Sequence, residues 1–371
     1  MKYIKQLDSV RAIAVLLVII SHWFPKTSLV NQFPIGVTGV NIFFVLSGFL
    51  ITSILFQNRH STASSGRIIR SFYARRILRI FPIYYLTIFS LLLLHNYTNT
   101  KIKEDFIYYL TYTSNFNFFI REEWDGMLSH LWSLAVEEQF YLFWPWLIIF
   151  TRKKYLIHII ALFIIIGLGS RLLFHDDEWS RILTTTCFDS LGLGALLSWF
   201  VIFKQELLPR FYYWIRIVGI LVIGNLIGHL VFTEEGYWFP IPQGTVDSII
   251  AAWGITYIYL NRNSNSPGFT YFLNLPVLVN IGKISYGIYL FHKILPSFTW
   301  MFRFKIQGFL PSLKPIFENQ NFILISDFII LILLAWASYR FIELPFLKLK
   351  RFFKLNPGKS KTLYETTEKL S

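Results

Sequence analysis

The chain has 371 residues, 54% of them hydrophobic and 15% charged, whereas soluble domains carry roughly 25% charged residues; an ordinary soluble enzyme is excluded. One cysteine, Cys187, excludes intrachain disulfides and a cysteine-based metal cluster. The formal charge of +14 is common in nucleic-acid-binding proteins. Here, however, Lys and Arg gather at the ends of apolar runs, where membrane topology and anionic lipid account for them and nucleic acid is not an expected partner.

Apolar runs of about twenty residues recur along the chain, each long enough to cross a hydrocarbon core. They predict an all-α, polytopic membrane protein with about ten transmembrane helices, near residues 8–24, 38–56, 76–95, 130–150, 156–174, 182–203, 212–232, 244–260, 278–297 and 321–342. The first run contains Arg11, follows Asp8 and has no Ala-x-Ala cleavage pattern, so it is a retained span rather than a signal peptide. Cationic links (Arg59, Arg67, Arg70, Arg75, Arg76; Arg152, Lys153, Lys154; Lys204, Arg210; Lys348, Lys350, Arg351, Lys354) alternate with poor or acidic ones (Lys26; Asp176, Asp177, Glu178; Glu234, Glu235). That alternation predicts both termini in the cytoplasm. Arg303, Lys305 and Lys314 fit it less well. Residues 104–126 are aromatic but interrupted by Asn and acids, which suits an interfacial or re-entrant segment. Residues 1–346 form one membrane domain, and 347–371 are a basic, then polar, disordered tail.

A charge in the hydrocarbon costs at least about 2.5–3.5 kcal/mol, so ionisable residues within spans are functional candidates. In the first span Arg11 and His22 are eleven residues apart, which puts them on one face about 16 Å apart, and Asp8 and Arg11 are i,i+3 neighbours that can pair. In the third, Arg75, Arg76 and Arg79 lie close together with no acid nearby in sequence, and forked guanidinium groups suit phosphate. In the fourth, His130 and Glu137 share a face while Glu138 points elsewhere. Ser285, Tyr289 and His292 form an i, i+4, i+7 polar stripe, a pattern also made by ordinary interhelix hydrogen bonding. Asp189, within the sixth span, is a lesser candidate on the same grounds.

No Gly-rich phosphate loop, nucleophile elbow or metal-spaced His pair occurs, and no metal is expected. A cationic cluster, a polar helix face, a His and a membrane Glu are the parts needed to move an acyl group from a phosphate-bearing thioester to a hydroxyl. A proton-coupled transporter or exporter of a small or sugar substrate would use the same residue types.

Six ordered blocks, LDSVRAIAVLLVIISH, GVTGVNIFFVLSGFLIT, FYARRILRIFPIYY, HLWSLAVEEQFYLFWP, ISYGIYLFH and IELPF, carry a resemblance to the acyltransferase-3 family from Tyr3 to about Phe346. The family consists of bacterial membrane proteins that O-acylate surface polysaccharides and related acceptors. The resemblance implies an enzyme of the cytoplasmic membrane with no tightly bound cofactor. Its co-substrate would be cytoplasmic acyl-CoA, usually acetyl-CoA, and its acceptor a carbohydrate or lipid-linked sugar. It implies His22 as catalytic histidine with Arg11 and Glu137 as partners, and Arg76 and Arg79, beside Arg75, at the donor phosphates. Ser47 and Phe49 fall in the SGF block, where Gly48 could permit a turn and a substrate's approach. The family often has an Arg two positions before the sixth-span Asp, where this chain has Cys187 before Asp189. Some members carry a further soluble domain; without one, the chain acts alone or with a separate periplasmic transferase.

Overall fold

In a spanning segment no water is present to bond N–H and C=O groups, so the backbone must satisfy them internally, and a helix does this within one segment. The computed structural model describes residues 3–98, 100–174, 177–231, 241–263 and 268–355, and among them every regular element is a helix and no strand occurs. Asp176, Glu234, Glu235 and the tail from residue 356 lie outside the described residues.

The helices in order are α1 (Gln6–Trp23), α2 (Ile35–Arg59), α3 (Ser65–Leu93), α4 (Phe106–Leu110), α5 (Ser114–Arg121), α6 (Leu131–Phe150), α7 (Leu156–Leu173) and α8 (Phe188–Phe203). There follow α9 (Leu208–Val231), α10 (Gln243–Leu260), α11 (Phe269–Phe272), α12 (Pro276–Lys283), α13 (Ser285–Phe291), α14 (Ile294–Phe309), α15 (Lys314–Phe317), α16 (Gln320–Ser338) and α17 (Leu344–Lys348). A π-helical turn, Tyr339–Glu343, joins the last two. Among the described residues seven helices are long and apolar enough to cross a membrane. Two of the expected spans, α6 and α10, are continuous helices of 20 and 18 residues. Each is too polar for that measure, α6 through Glu137-Glu138-Gln139 and α10 through Gln243 and Asp247. The expected span at 278–297 is not one rod: it is divided among α12, α13 and the start of α14. The 104–126 segment forms α4 and α5, both too short to cross, which pack on α3 and α6.

At the centre lies α2, which contacts α1, α3, α6, α8 and α10. Its approach to α8 is set by two glycines. A Cβ on Gly48 would collide with the carbonyl oxygen of Leu191, and one on Gly194 with that of Val45. Without a strong hydrophobic drive between helices in lipid, such small residues let backbones meet closely. Gly48 therefore makes no turn: it lies inside a continuous helix, and its lack of a side chain admits α8. Its neighbour Phe49 is fully buried, edge-on to Tyr259.

Buried ion pairs fasten the periphery. Arg171 on α7 donates from Nε to both oxygens of Asp189 on α8 (3.0 and 2.9 Å), and Thr245 on α10 donates to the same carboxylate (2.7 Å). The arginine that the family pattern places before this acid is thus supplied from another helix. Arg303 on α14 makes a forked pair with Asp327 on α16 (2.9 and 3.0 Å). Its charge is neutralised inside the bundle, which is why it does not follow the alternation of the loop charges.

Gly194→Leu is expected to lower stability by about 1–3 kcal/mol or more through overpacking, whereas Gly66→Ala, with nothing near the added methyl, leaves it unchanged or raised; thermal unfolding in detergent measures both. Arg303→Leu or Asp327→Leu alone is expected to cost about 3–5 kcal/mol, and the double replacement much less than the sum, because only the single variants leave a buried charge unpaired.

Candidate active site

Three arginines from two helices converge on one cavity of about 240 Å³: Arg11 of α1 and Arg76 and Arg79 of α3. Arg76 and Arg79 reach it together because three residues bring side chains to nearly the same face of a helix. Arg75 is exposed and lines neither this cavity nor its neighbour, since adjacent residues diverge by about 100°. Arg76 lies over the ring of Tyr141, 5.3 Å from its centroid.

The acids absent from the local sequence come from elsewhere in the fold. Glu137 lines the cavity and accepts hydrogen bonds from Ser47 Oγ (2.7 Å) and Tyr141 Oη (3.2 Å). Tyr141 also donates to Ser47 (3.0 Å). Glu138, expected to point away, lines the cavity too, because the opening spans the arc between the two neighbouring side chains. A second cavity, of about 370 Å³, shares Arg11, Arg79, Leu50, Ile54 and Tyr286 with the first, so the two are contiguous. It adds Asp8, Lys283 and Glu343 to the charged lining. Asp8 pairs with Arg11, as the i,i+3 spacing predicts, and also accepts from Tyr3. The remaining lining of the first cavity is largely apolar, including Phe43, Phe44, Leu50 and Ile51.

At its other limit the first cavity touches Ser133, Ser285 and Tyr289. Ser285 donates to the Gly282 carbonyl (2.8 Å), a local helix bond. The hydroxyls of Ser133 and Tyr289 lie 2.5 Å apart, and Tyr289 also donates to the His130 carbonyl (3.3 Å). Beyond them three histidines from three parts of the chain meet. His22 Nδ1 lies 3.0 Å from His292 Nε2. The ring of His130 stands edge-on to that of His292 at 4.9 Å, and its Nε2 donates to the Leu290 carbonyl (3.1 Å). His292 is fully buried, whereas His22, at the end of α1, is exposed. Trp23 donates from Nε1 to the His292 carbonyl (2.8 Å), tying the end of α1 to the end of α13. No cluster with the makings of a metal site occurs among the described residues.

The expected residues therefore separate into two groups. Arg11, Arg76, Arg79, Asp8, Ser47 and Glu137 surround the contiguous cavities; His22, His130 and His292 form a cluster beside Tyr289. Glu137 and His22 share no hydrogen bond or ion pair, so the structure does not bring them together as a carboxylate–histidine pair. Asp189 belongs to neither group and serves the α7–α8–α10 junction. Tyr141, Glu343 and Lys293, which donates to Ser129, were missed. Tyr141 is four residues from Glu137 and was legible by helical spacing, and Lys293 adjoins His292. Glu343 lies in the closing IELPF block, but only the fold brings it to the cavity that Arg79 also lines.

Known proteins match this chain over nearly its whole length. Residues 4–340 match the family described as "Acyltransferase domain". The chain is 33% identical over 373 residues to "Putative O-acetyltransferase SACOL0978" of Staphylococcus aureus (strain COL), covering 94% of this chain and 58% of that protein. It is 29% identical over 377 residues to "O-acetyltransferase OatA" of Staphylococcus aureus (strain NCTC 8325 / PS 47), with the same two coverages. The chain thus spans 58% of the length of these curated relatives. No solved structure matches it. The family match takes in every arginine and histidine of the two groups, and the chain belongs to the acyltransferase-domain family.

Proposed function

We propose that the chain is a membrane O-acyltransferase that moves an acyl group, acetyl in the simplest case, from acyl-CoA to a hydroxyl of an extracytoplasmic or lipid-linked carbohydrate. In this proposal it crosses the bacterial cytoplasmic membrane about ten times, by the seven apolar helices together with α6, α10 and the broken α12–α14 segment. Both termini are cytoplasmic, as the loop charges favour. Irregular backbone such as that between α12 and α14 is compatible with a span where it is enclosed by protein or lines a cavity. The names of the relatives, O-acetyltransferases, favour acetyl as the group moved.

One observation carries the proposal: the cavity lined by Arg11, Arg76 and Arg79 extends to Tyr289, whose carbonyl holds the histidine pair that ends at exposed His22. Acyl-CoA would set its phosphates against the arginines, whose charge-assisted bonds suit them. Its pantetheine arm would follow the apolar wall of Phe43, Phe44 and Ile51. His22 takes the proton of the acceptor hydroxyl as the oxygen bonds to the thioester carbonyl carbon. Collapse of the tetrahedral intermediate breaks the C–S bond, and the proton passes from His22 to the departing sulfur. The sum is an ester and free CoA thiol. Glu137, held by Ser47 and Tyr141, sits among the arginines and orders their charge instead of orienting His22.

His22→Ala is expected to lower kcat about 10²–10⁴-fold, the usual contribution of a general base, with the KM for acetyl-CoA unchanged. Arg76→Ala or Arg79→Ala is expected to raise that KM about tenfold or more, from loss of a charge-assisted bond of about 1.5–3 kcal/mol. Both are measured as thiol release by protein reconstituted in liposomes. Sugar flux across those liposomes without an acyl donor, together with no thioester cleavage when donor is supplied, would identify a transporter and overturn the proposal.

A further inference from the structure

We propose that His292 is a positioning residue that fixes the tautomer of His22, using a main-chain carbonyl where a carboxylate would ordinarily stand. The inference deepens the reading of His22 as the general base and rests on it. It starts from two distances that share one ring.

His292 Nδ1 is 2.6 Å from the carbonyl oxygen of Tyr289, one helical turn earlier. A carbonyl oxygen can only accept, so Nδ1 carries the hydrogen. His292 is wholly buried, and among the described residues no carboxylate contacts it; a second proton would place an unpaired charge in a buried site. The neutral ring then has a bare Nε2, and the atom 3.0 Å from it, His22 Nδ1, must donate. His22 therefore holds its own hydrogen on Nδ1 and presents an unprotonated Nε2 on the opposite edge of the ring. The direction of the chain is not reversible, because it ends on an atom that has no proton to give back. The free nitrogen belongs to the one exposed ring of the three.

The rest of the cluster holds this arrangement in place. Trp23 Nε1 donates to the His292 carbonyl, locking the residue after His22 to the backbone of His292. The ring of His130 packs against His292 edge-on, and its own hydrogen is committed to the Leu290 carbonyl, so it does not compete for His292 Nε2. When His22 takes the acceptor proton on Nε2, its ring becomes cationic and the Nδ1–H bond to His292 becomes charge-assisted. The contact that selects the tautomer is then stronger in the transition state than before it, which is the condition for accelerating the step. A Ser–His–Asp triad obtains the same two effects from a carboxylate. Here a neutral imidazole relays them from an amide.

The test combines a spectrum with kinetics. Solid-state NMR of liposome-embedded protein labelled with ¹⁵N-histidine, with His22 assigned by its loss in His22→Ala, should show His22 as the Nδ1–H tautomer. In His292→Leu that signal should move toward the Nε2–H form, and kcat for thiol release from acetyl-CoA should fall about tenfold or more with the KM for acetyl-CoA unchanged. In His292→Gln, whose side-chain carbonyl oxygen can accept from His22 Nδ1, both the tautomer and most of the rate should return; a merely packing role for His292 would not predict that recovery. An Nε2–H tautomer at His22 in the unaltered protein, or an unchanged tautomer and rate in His292→Leu, would overturn the proposal. Full activity in His22→Ala would instead overturn the general-base reading, and the tautomer measured by NMR would still report separately on His292.

Discussion

A charged or polar side chain inside a membrane bundle is costly unless it finds a partner within the protein or faces a cavity. That requirement organises the molecule. Asp189 draws α7, α8 and α10 together through Arg171 and Thr245. Arg303 and Asp327 join α14 to α16. Glu137 meets Ser47, which places α6 against α2 beside the arginine cavity. Remove these pairings and the apolar faces alone would specify little, since lipid and neighbouring helix offer a Leu nearly equal surroundings.

Close approach is the second device, and it depends on the absence of side chains. Gly48 and Gly194 let α2 and α8 meet backbone to backbone, and α2 then has room for α1, α3 and α6 around it. The residue before Gly48 is Ser47, at the cavity wall beside Glu137. One glycine position therefore affects both packing and the polar lining: with α2 pressed on α8, Ser47 is turned toward α6.

The two polar groups occupy adjoining places in the bundle. Arginines and acids line the contiguous cavities together with phenylalanines and aliphatic side chains, giving an amphiphilic space. The histidines stand next to its far limit, linked to it through Tyr289, whose hydroxyl faces Ser133 and whose carbonyl faces His292. Tyr289 thus belongs to both groups, and the α13 turn that carries it and His292 sets their spacing. The break between α12 and α14, which a single straight span would lack, lets that short helix bring both residues to the end of α1.

The all-helical class, the family and the membrane-spanning apolar runs followed from the sequence, because segment length and hydropathy are local properties that any bilayer must satisfy. So did the Asp8–Arg11 pair and the shared face of Arg76 and Arg79, which depend only on helical spacing. Arg171 as the partner of Asp189, Glu343 and Glu138 in the cavities that Arg79 also lines, and the His22–His292 contact were decided by tertiary structure alone. These partners lie on different helices, 270 residues apart for His22 and His292, and no periodicity along one helix encodes which other helix will face it. The separation of Glu137 from His22 has the same cause. Both are costly membrane residues in family blocks, but the packing of α6 on α2 gives Glu137 to Ser47 and leaves His22 to a neighbour that the sequence marked only as part of a polar stripe.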